Sequence, residues 1–520
     1  TLQADVQLHA SASQMYGIVL DTLATELHID NKTFFVDTLL LQNAALDAEA
    51  SGRFSMEKNS DVLLRVQTKN LDSLKQFIPA DTLHGDMNLI AHVSGQLDSL
   101  LFEIDAQADS LLYNTNSVEQ LDALVQGRWV HNTQQTEGEV QLDNINVANF
   151  SIEQVDVQAQ YNPDSANVEL GIVQGDIVQA DVRASYLSGD PAIILIPEIN
   201  LVIRDNEWRT QTRDARVALG KEEIAISNFL MEKTVTDTTR PRIAIDGAVR
   251  RRGEQNFELE FTDWDISTFD EFLTKDYELK GLLSLNLQLN GTAAAPEIDF
   301  STTLKNAGFQ EFQLNYLHSN VRYDQGLLVG DAIILPTNDS LKLSATVPAQ
   351  FSLRTREFNL QKDDSVDIVL LAETFNINDL QIPQNVLDDP RGMLNIDIRL
   401  QHTLNDLEPS GFIRLSNGHI AHDPLGVELN ELQLYTTIQS NRLTLDTLSA
   451  TRGDGSLRLN GYAALEESIF SGVVDSLAIS LYANEFFLSD KPVHEIKINA
   501  DVNVQGPLES LNMEIGRAHV

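Results

Sequence analysis

The sequence predicts an all-β fold: an elongated, curled, repetitive antiparallel sheet with a few short linker helices. Three observations carry that expectation. Apolar and polar residues alternate with period two over many short stretches. Sustained helical periodicity is nearly absent, and similar strand surroundings recur along the 520 residues.

Four stretches show the alternation best. Leu283-Ser-Leu-Asn-Leu-Gln-Leu289 sets Leu283, Leu285, Leu287 and Leu289 on one face and amides and a hydroxyl on the other. Leu394, Ile396, Ile398 and Leu400 do the same, with Asn395, Asp397 and Arg399 outward. Ile496, Ile498, Val502 and Val504 form a third apolar face. Met87–Val93 is the weakest, because Ile90 falls on its polar side. One apolar and one wet face define a half-buried antiparallel strand.

Each strand follows a shorter β-like run and a compact linker. The runs begin near residues 62, 257, 366 and 477. The linkers start at Asn70, Trp264, Phe375 and Asn484, with helical turns expected over Leu71–Phe77 and Ser267–Leu273. Gly85, Gly281 and Gly392 precede three of the strands, 196 and 111 positions apart; the fourth has no such glycine. Turns are expected at Ser94-Gly95, Asn290-Gly291, Asn405-Asp406 and Gln505-Gly506-Pro507. A second echo is tighter. Val36-Asp-Thr-Leu39 precedes Gly52 as Leu445-Asp-Thr-Leu448 precedes Gly461, and each glycine reads as a chain reversal. Internal duplication with a loose period near 100 residues follows. No low-complexity linker divides residues 1–514, which read as one continuous β segment of a longer protein. Residues 515–520 resemble a translated sequencing adapter and read as a non-native tail.

Composition narrows the function classes. With 77 acidic and 36 basic residues the formal charge is −41, which repels phosphate backbones and argues against nucleic-acid binding. Anionic membrane surfaces are repelled as well, so lipid contact is expected to be apolar. Cysteine is absent, which removes disulfides, thiolate zinc sites and cysteine nucleophiles. No stretch approaches the roughly 20 apolar residues of a membrane helix. The runs Tyr16–Leu20, Ile193–Ile196 and Leu201–Ile203 have strand length.

Catalytic patterns are missing: no phosphate loop, no GxGxxG and no GxSxG elbow occurs. His419 and His422 form the one close histidine pair and read as a solvated loop, not a metal site. Asp363-Asp364 and Asp388-Asp389 select nothing in so acidic a chain. Arg250-Arg251-Arg252 is the one basic cluster and is placed at a hairpin tip; Arg452-Gly453-Asp454 falls in a turn. No enzyme, cofactor or metal is expected. What remains is the apolar face. Either a second sheet fills it, or it curls into an open trough that acyl chains cover.

The order of short strand, Asn/Asp-rich linker, glycine, alternating strand and turn resembles the repeats of the TamB and AsmA-like family of envelope proteins. Trp208 followed by Ile224-Ala-Ile-Ser-Asn-Phe229 and Ile243-Ala-Ile-Asp-Gly247 is similar to that family, as is Leu443–Leu448 followed by Gly453–Gly461. The resemblance implies a periplasmic protein anchored in the inner membrane by a segment outside this sequence. It also implies an apolar groove for phospholipid transport toward the outer membrane, assembly of outer-membrane proteins with a barrel partner, and no catalytic residues. Three readings result. The first is a lipid-conducting bridge whose groove is lined by the twelve apolar residues numbered between 283 and 504 above. The second is a scaffold offering sheet edges to outer-membrane β-proteins. The third is a structural solenoid or adhesin with a filled core.

Overall fold

In the computed structural model the chain is 82% strand and 3% helical. The structure describes all residues except 1–2, 16–17, 75–80, 131–132, 148–149, 205, 235–239, 269–277, 310–311, 381–387, 423–426, 467–469, 471, 492–493 and 520. Among those described, 33 strands are joined in antiparallel pairing, which is the fold class the alternation predicts. The chain divides into two compact units, Thr1–Ala248 and a second from Val249 onward.

In the first unit each strand pairs with the next. Gln3–Met15 pairs with Ile18–Asp30, that strand with Thr33–Gln42, and the order continues toward Ala192–Ile203. The apolar runs of that last strand merge into one element. Its two halves pair with separate short strands, Asn206–Thr210 and Ala215–Leu219, and both of these pair with Glu223–Lys233. Trp208 is buried at this split. Two-residue loops close several hairpins, as at Asn31 (φ 55°), whose amide side chain suits the left-handed region such turns need.

The second unit runs from Asn256–Asp265 to Asn512–His519 in the same way. One short strand leaves the series: Glu357–Leu360 pairs with the end of Leu341–Ser352, while the body of the latter pairs with Ser365–Asn376.

Few apolar side chains are fully buried. The solvent-accessible surface is 30864 Å², whereas two separate compact bodies of half this mass would together expose roughly 23,000 Å². The most continuous core lies in the second unit, where Phe375 and Ile377 pack with Leu394, Leu415, Leu432 and Ala450. Phe375→Ala should cost about 3–5 kcal/mol, read as a lowered urea midpoint, because it removes a fully buried aromatic ring from this cluster.

Several local expectations are corrected. Gly52 and Gly461 do not reverse the chain but lie within Leu46–Ser55 and Gly455–Leu465. Each stands opposite the residue before a bulge: Val36 pairs with Gly52 ahead of Asp37-Thr38, and Leu445 pairs with Gly461 ahead of Asp446-Thr447. A Cβ at Gly52 would sit 2.1 Å from the Asp61 carbonyl oxygen, and one at Gly461 2.1 Å from that of Ala478. The glycine permits close approach of the neighbouring backbone. Likewise Ser94-Gly95, Asn290-Gly291 and Gln505-Gly506 belong to strand ends, and the reversals come just after them. Of the linker helices, Leu71–Leu74 is a 3-10 turn, and the remainder of Leu71–Phe77 and most of Ser267–Leu273 lie outside the described residues. The fourth linker is absent: Asn484–Leu488 stays within the strand Val474–Lys491.

On the first strand, the Asp5 carboxylate hydrogen-bonds with the His28 ring and raises its pKa above the ordinary histidine value, with the Asp30 and Asp37 charges acting in the same direction. A raised folded-state pKa stabilises below the unfolded value, and the contribution is lost as pH rises through the folded pKa. The His28 NMR titration should therefore midpoint above that of an unfolded-chain histidine and shift downward in Asp5→Asn.

Candidate functional site: a continuous apolar ribbon

Residues directly opposite each other in a sheet share a face. Following the register from strand to strand therefore traces which side chains are joined. In the second unit, Leu285 stands opposite Thr302, then come Ser319, Ala332, Leu343, Leu370, Ile398 and Gly411. The same row continues through Ile438, Leu443, Ala463 and Leu477 to Gly506. A neighbouring row runs from Leu287 through Phe300, Val321, Gly330, Ala345 and Ile368 to Leu400. Another joins Ile396, Ile413, Thr436, Leu445, Gly461, Ile479 and Val504. A fourth joins Leu394, Leu415, Leu434, Leu448, Leu459, Leu481 and Val502.

Three stretches separated by about a hundred residues in sequence thus become one ribbon of aliphatic side chains, broken only by small or hydroxyl residues. Leu283 stands opposite Trp264 and Leu304, Leu289 opposite Phe257 and Ile298, and Ile498 opposite Phe486. Ile496 pairs with Ser489, and its side chain lies outside those described. Leu289 and Leu394 are buried, while Leu283, Leu285, Leu287, Ile396, Ile398, Leu400, Ile498, Val502 and Val504 are half-buried. On the other face Gln288, Arg399, Asp501 and Asn503 are exposed, while Ser284, Asn286, Asn395 and Asp397 are half-buried.

Three bulged strands enter this ribbon through aromatic residues whose regular spacing sequence reasoning missed. Trp264, Phe375 and Phe486 fall 111 positions apart. Each follows a bulge in its strand, at Phe261/Trp264, Ala372/Phe375 and Ala483/Phe486. Six strand steps separate one from the next, about 29 Å at the usual spacing. Phe375 and Phe486 are 0% and 1% exposed, and the ribbon beside Phe375 is covered with it, Leu394 and Leu415 being 9% and 3% exposed. The glycine series matches: Gly85, Gly281 and Gly392 have φ of 128°, 131° and 136°, each beside a register shift. Aligning the aromatics would have revealed the 111-residue period in the sequence.

Other candidates are dispersed. His419 lies in the strand Asp406–His422, not in a loop, and its Nδ1 is 2.7 Å from Asn430 Oδ1. The strand forms because Ile413, Leu415 and Ile420 pack on the core cluster. Asp389 pairs with Arg391, whose guanidinium holds the carboxyl below its usual pKa. Arg250 ends a strand, and Arg251 and Arg252 occupy the turn after it. Gly453 and Asp454 form the turn after Arg452. A concavity of about 590 Å³ in the first unit has a mixed lining, with His92, Glu103, Gln126, Arg128 and Glu137 beside Leu101, Phe102 and Tyr161. Among the described residues no helix is long and apolar enough to cross a membrane.

The fold and ribbon define a repetitive antiparallel β protein with an apolar face that is continuous in register across its second unit. No protein-family model matches the chain, and no curated protein is significantly similar to it.

Proposed function

We propose that this chain is a segment of a periplasmic bridge of the TamB and AsmA-like kind, whose apolar face carries phospholipid acyl chains between inner and outer membranes. The carrying observation is the register-continuous ribbon of half-buried aliphatic residues from Leu285 to Val504. Uncovered apolar surface on this scale is costly in water, at roughly 25 cal/mol per Å², and hydrocarbon is the guest that relieves it without specific polar contacts. In this reading the protein is not an enzyme. The barrel partner and the inner-membrane attachment come from the resemblance.

Phospholipid identified by mass spectrometry in protein purified from a Gram-negative periplasm tests the reading. Acyl lipid bound in at least stoichiometric amount is expected; lipid-free protein that is folded and stable would remove the proposal. A second reading, a structural solenoid with a filled core, is favoured locally by the Phe375 cluster. It predicts lipid-free protein.

A further inference from the structure

We propose that the turn cluster at one rim of the second unit is a docking point for an anionic phospholipid surface. Three turns distant in sequence are tied together there. The Ala293 amide donates to the Gly253 carbonyl at 3.2 Å, and the Arg354 amide donates to the Ala293 carbonyl at 3.2 Å. The first turn is held from inside by buried Gln255, which accepts from the Arg250 amide at 2.7 Å and donates to the Arg250 and Gly253 carbonyls. The Arg250 guanidinium is spent on the same turn, donating to the Glu254 carbonyl and to Asn256 Oδ1.

This junction gathers Arg251, Arg252, Arg354 and Arg356, all exposed. With Arg250, five arginines stand against Glu254, Glu297 and Glu357 in residues 250–257, 290–297 and 352–357, a local charge of +2 in a chain at −41. The chain-wide charge predicts repulsion from anionic membranes. Screening within about 8 Å at physiological salt lets the local cluster decide instead.

Apolar residues lead from the ribbon to the arginines. Tyr323, opposite Ile298, meets Phe351 edge-on at 6.1 Å, and Phe351 meets Phe358 at 6.4 Å. Phe358 and Leu360 lie on the branching strand Glu357–Leu360 and are 54% and 41% exposed. An apolar path ending in exposed aromatic and aliphatic side chains beside guanidinium groups has the chemistry of an interfacial membrane anchor: hydrocarbon on one side, phosphate on the other. This deepens the lipid reading by naming anionic phospholipid as the class met at this rim.

The test is sedimentation of the full chain with vesicles of phosphatidylcholine alone and with one-third phosphatidylglycerol. Binding is expected with the anionic vesicles and not with the neutral ones. The pair Arg354→Gln and Arg356→Gln should weaken it about 30-fold, each cation contributing roughly fivefold. Phe358→Ser should weaken it with no change in salt dependence, and Arg183→Gln, an exposed arginine of the first unit, should leave it unchanged. Binding indifferent to phosphatidylglycerol, equal loss in Arg183→Gln, or displacement by inorganic phosphate at constant ionic strength would each overturn the proposal. Anionic-vesicle binding by protein that purifies free of lipid would remove the transport reading and leave this one standing.

Discussion

Alanine at Gly461 is expected to destabilise the second unit by about 2–5 kcal/mol, the sum of a disfavoured backbone and an overlap that cannot relax. Gly461 has φ 153°, and its Cβ would fall 2.1 Å from the Ala478 carbonyl oxygen and 2.9 Å from the Ile479 Cα. Both are backbone atoms of a strand pinned in register, so no side chain is there to swing away. The same change at Gly52 meets the same environment, with the Asp61 oxygen at 2.1 Å and the Val62 Cα at 2.9 Å. The two glycines lie in different units, so their effects should add. Urea titrations of each single variant and of the pair check this. Equal midpoints for Gly461→Ala and the parent protein would mean the two strands do not approach as closely as described.

Replacing Ile398 by Asp is the change expected to alter function most. Ile398 stands between Leu370 and Gly411 in the middle of the ribbon, half-buried and surrounded by aliphatic side chains. A carboxylate there would interrupt the apolar path, and because the site is half-buried it would also lower stability. Lipid occupancy should fall at least tenfold in protein that urea titration shows to be still folded. Arg399→Asp, one position along and on the exposed face, should leave occupancy unchanged. Equal losses from both would show that the face does not matter.

Alternation disclosed the strands and which side of each is apolar, because the side-chain period of a strand is two wherever one face is wet. Hence Leu283, Ile398 and Val504 were legible as face residues from sequence. Their joining into one ribbon was not, since it depends on the register of up to a dozen intervening pairings. Glycine roles were misread for a related reason. A glycine at a reversal and one facing a close neighbouring backbone look alike in sequence, and Gly52 and Gly461 are of the second kind. The arginine junction was half visible: Arg250–Arg252 marked a hairpin tip, but only the fold brings Arg354 and Arg356 to it. The aromatic spacing of 111 was present in the letters, masked by Trp264 standing where the other copies have Phe375 and Phe486.

Everything functional depends on guest hydrocarbon lying against the ribbon. A photoreactive phenylalanine analogue placed singly at Leu287, Ile398 and Leu477, and at Gln288 and Arg399 on the opposite face, tests that contact directly. Irradiation in the envelope should give phospholipid adducts at the first three positions and none at the last two. Adducts at neither set, or equally at both, would contradict the account.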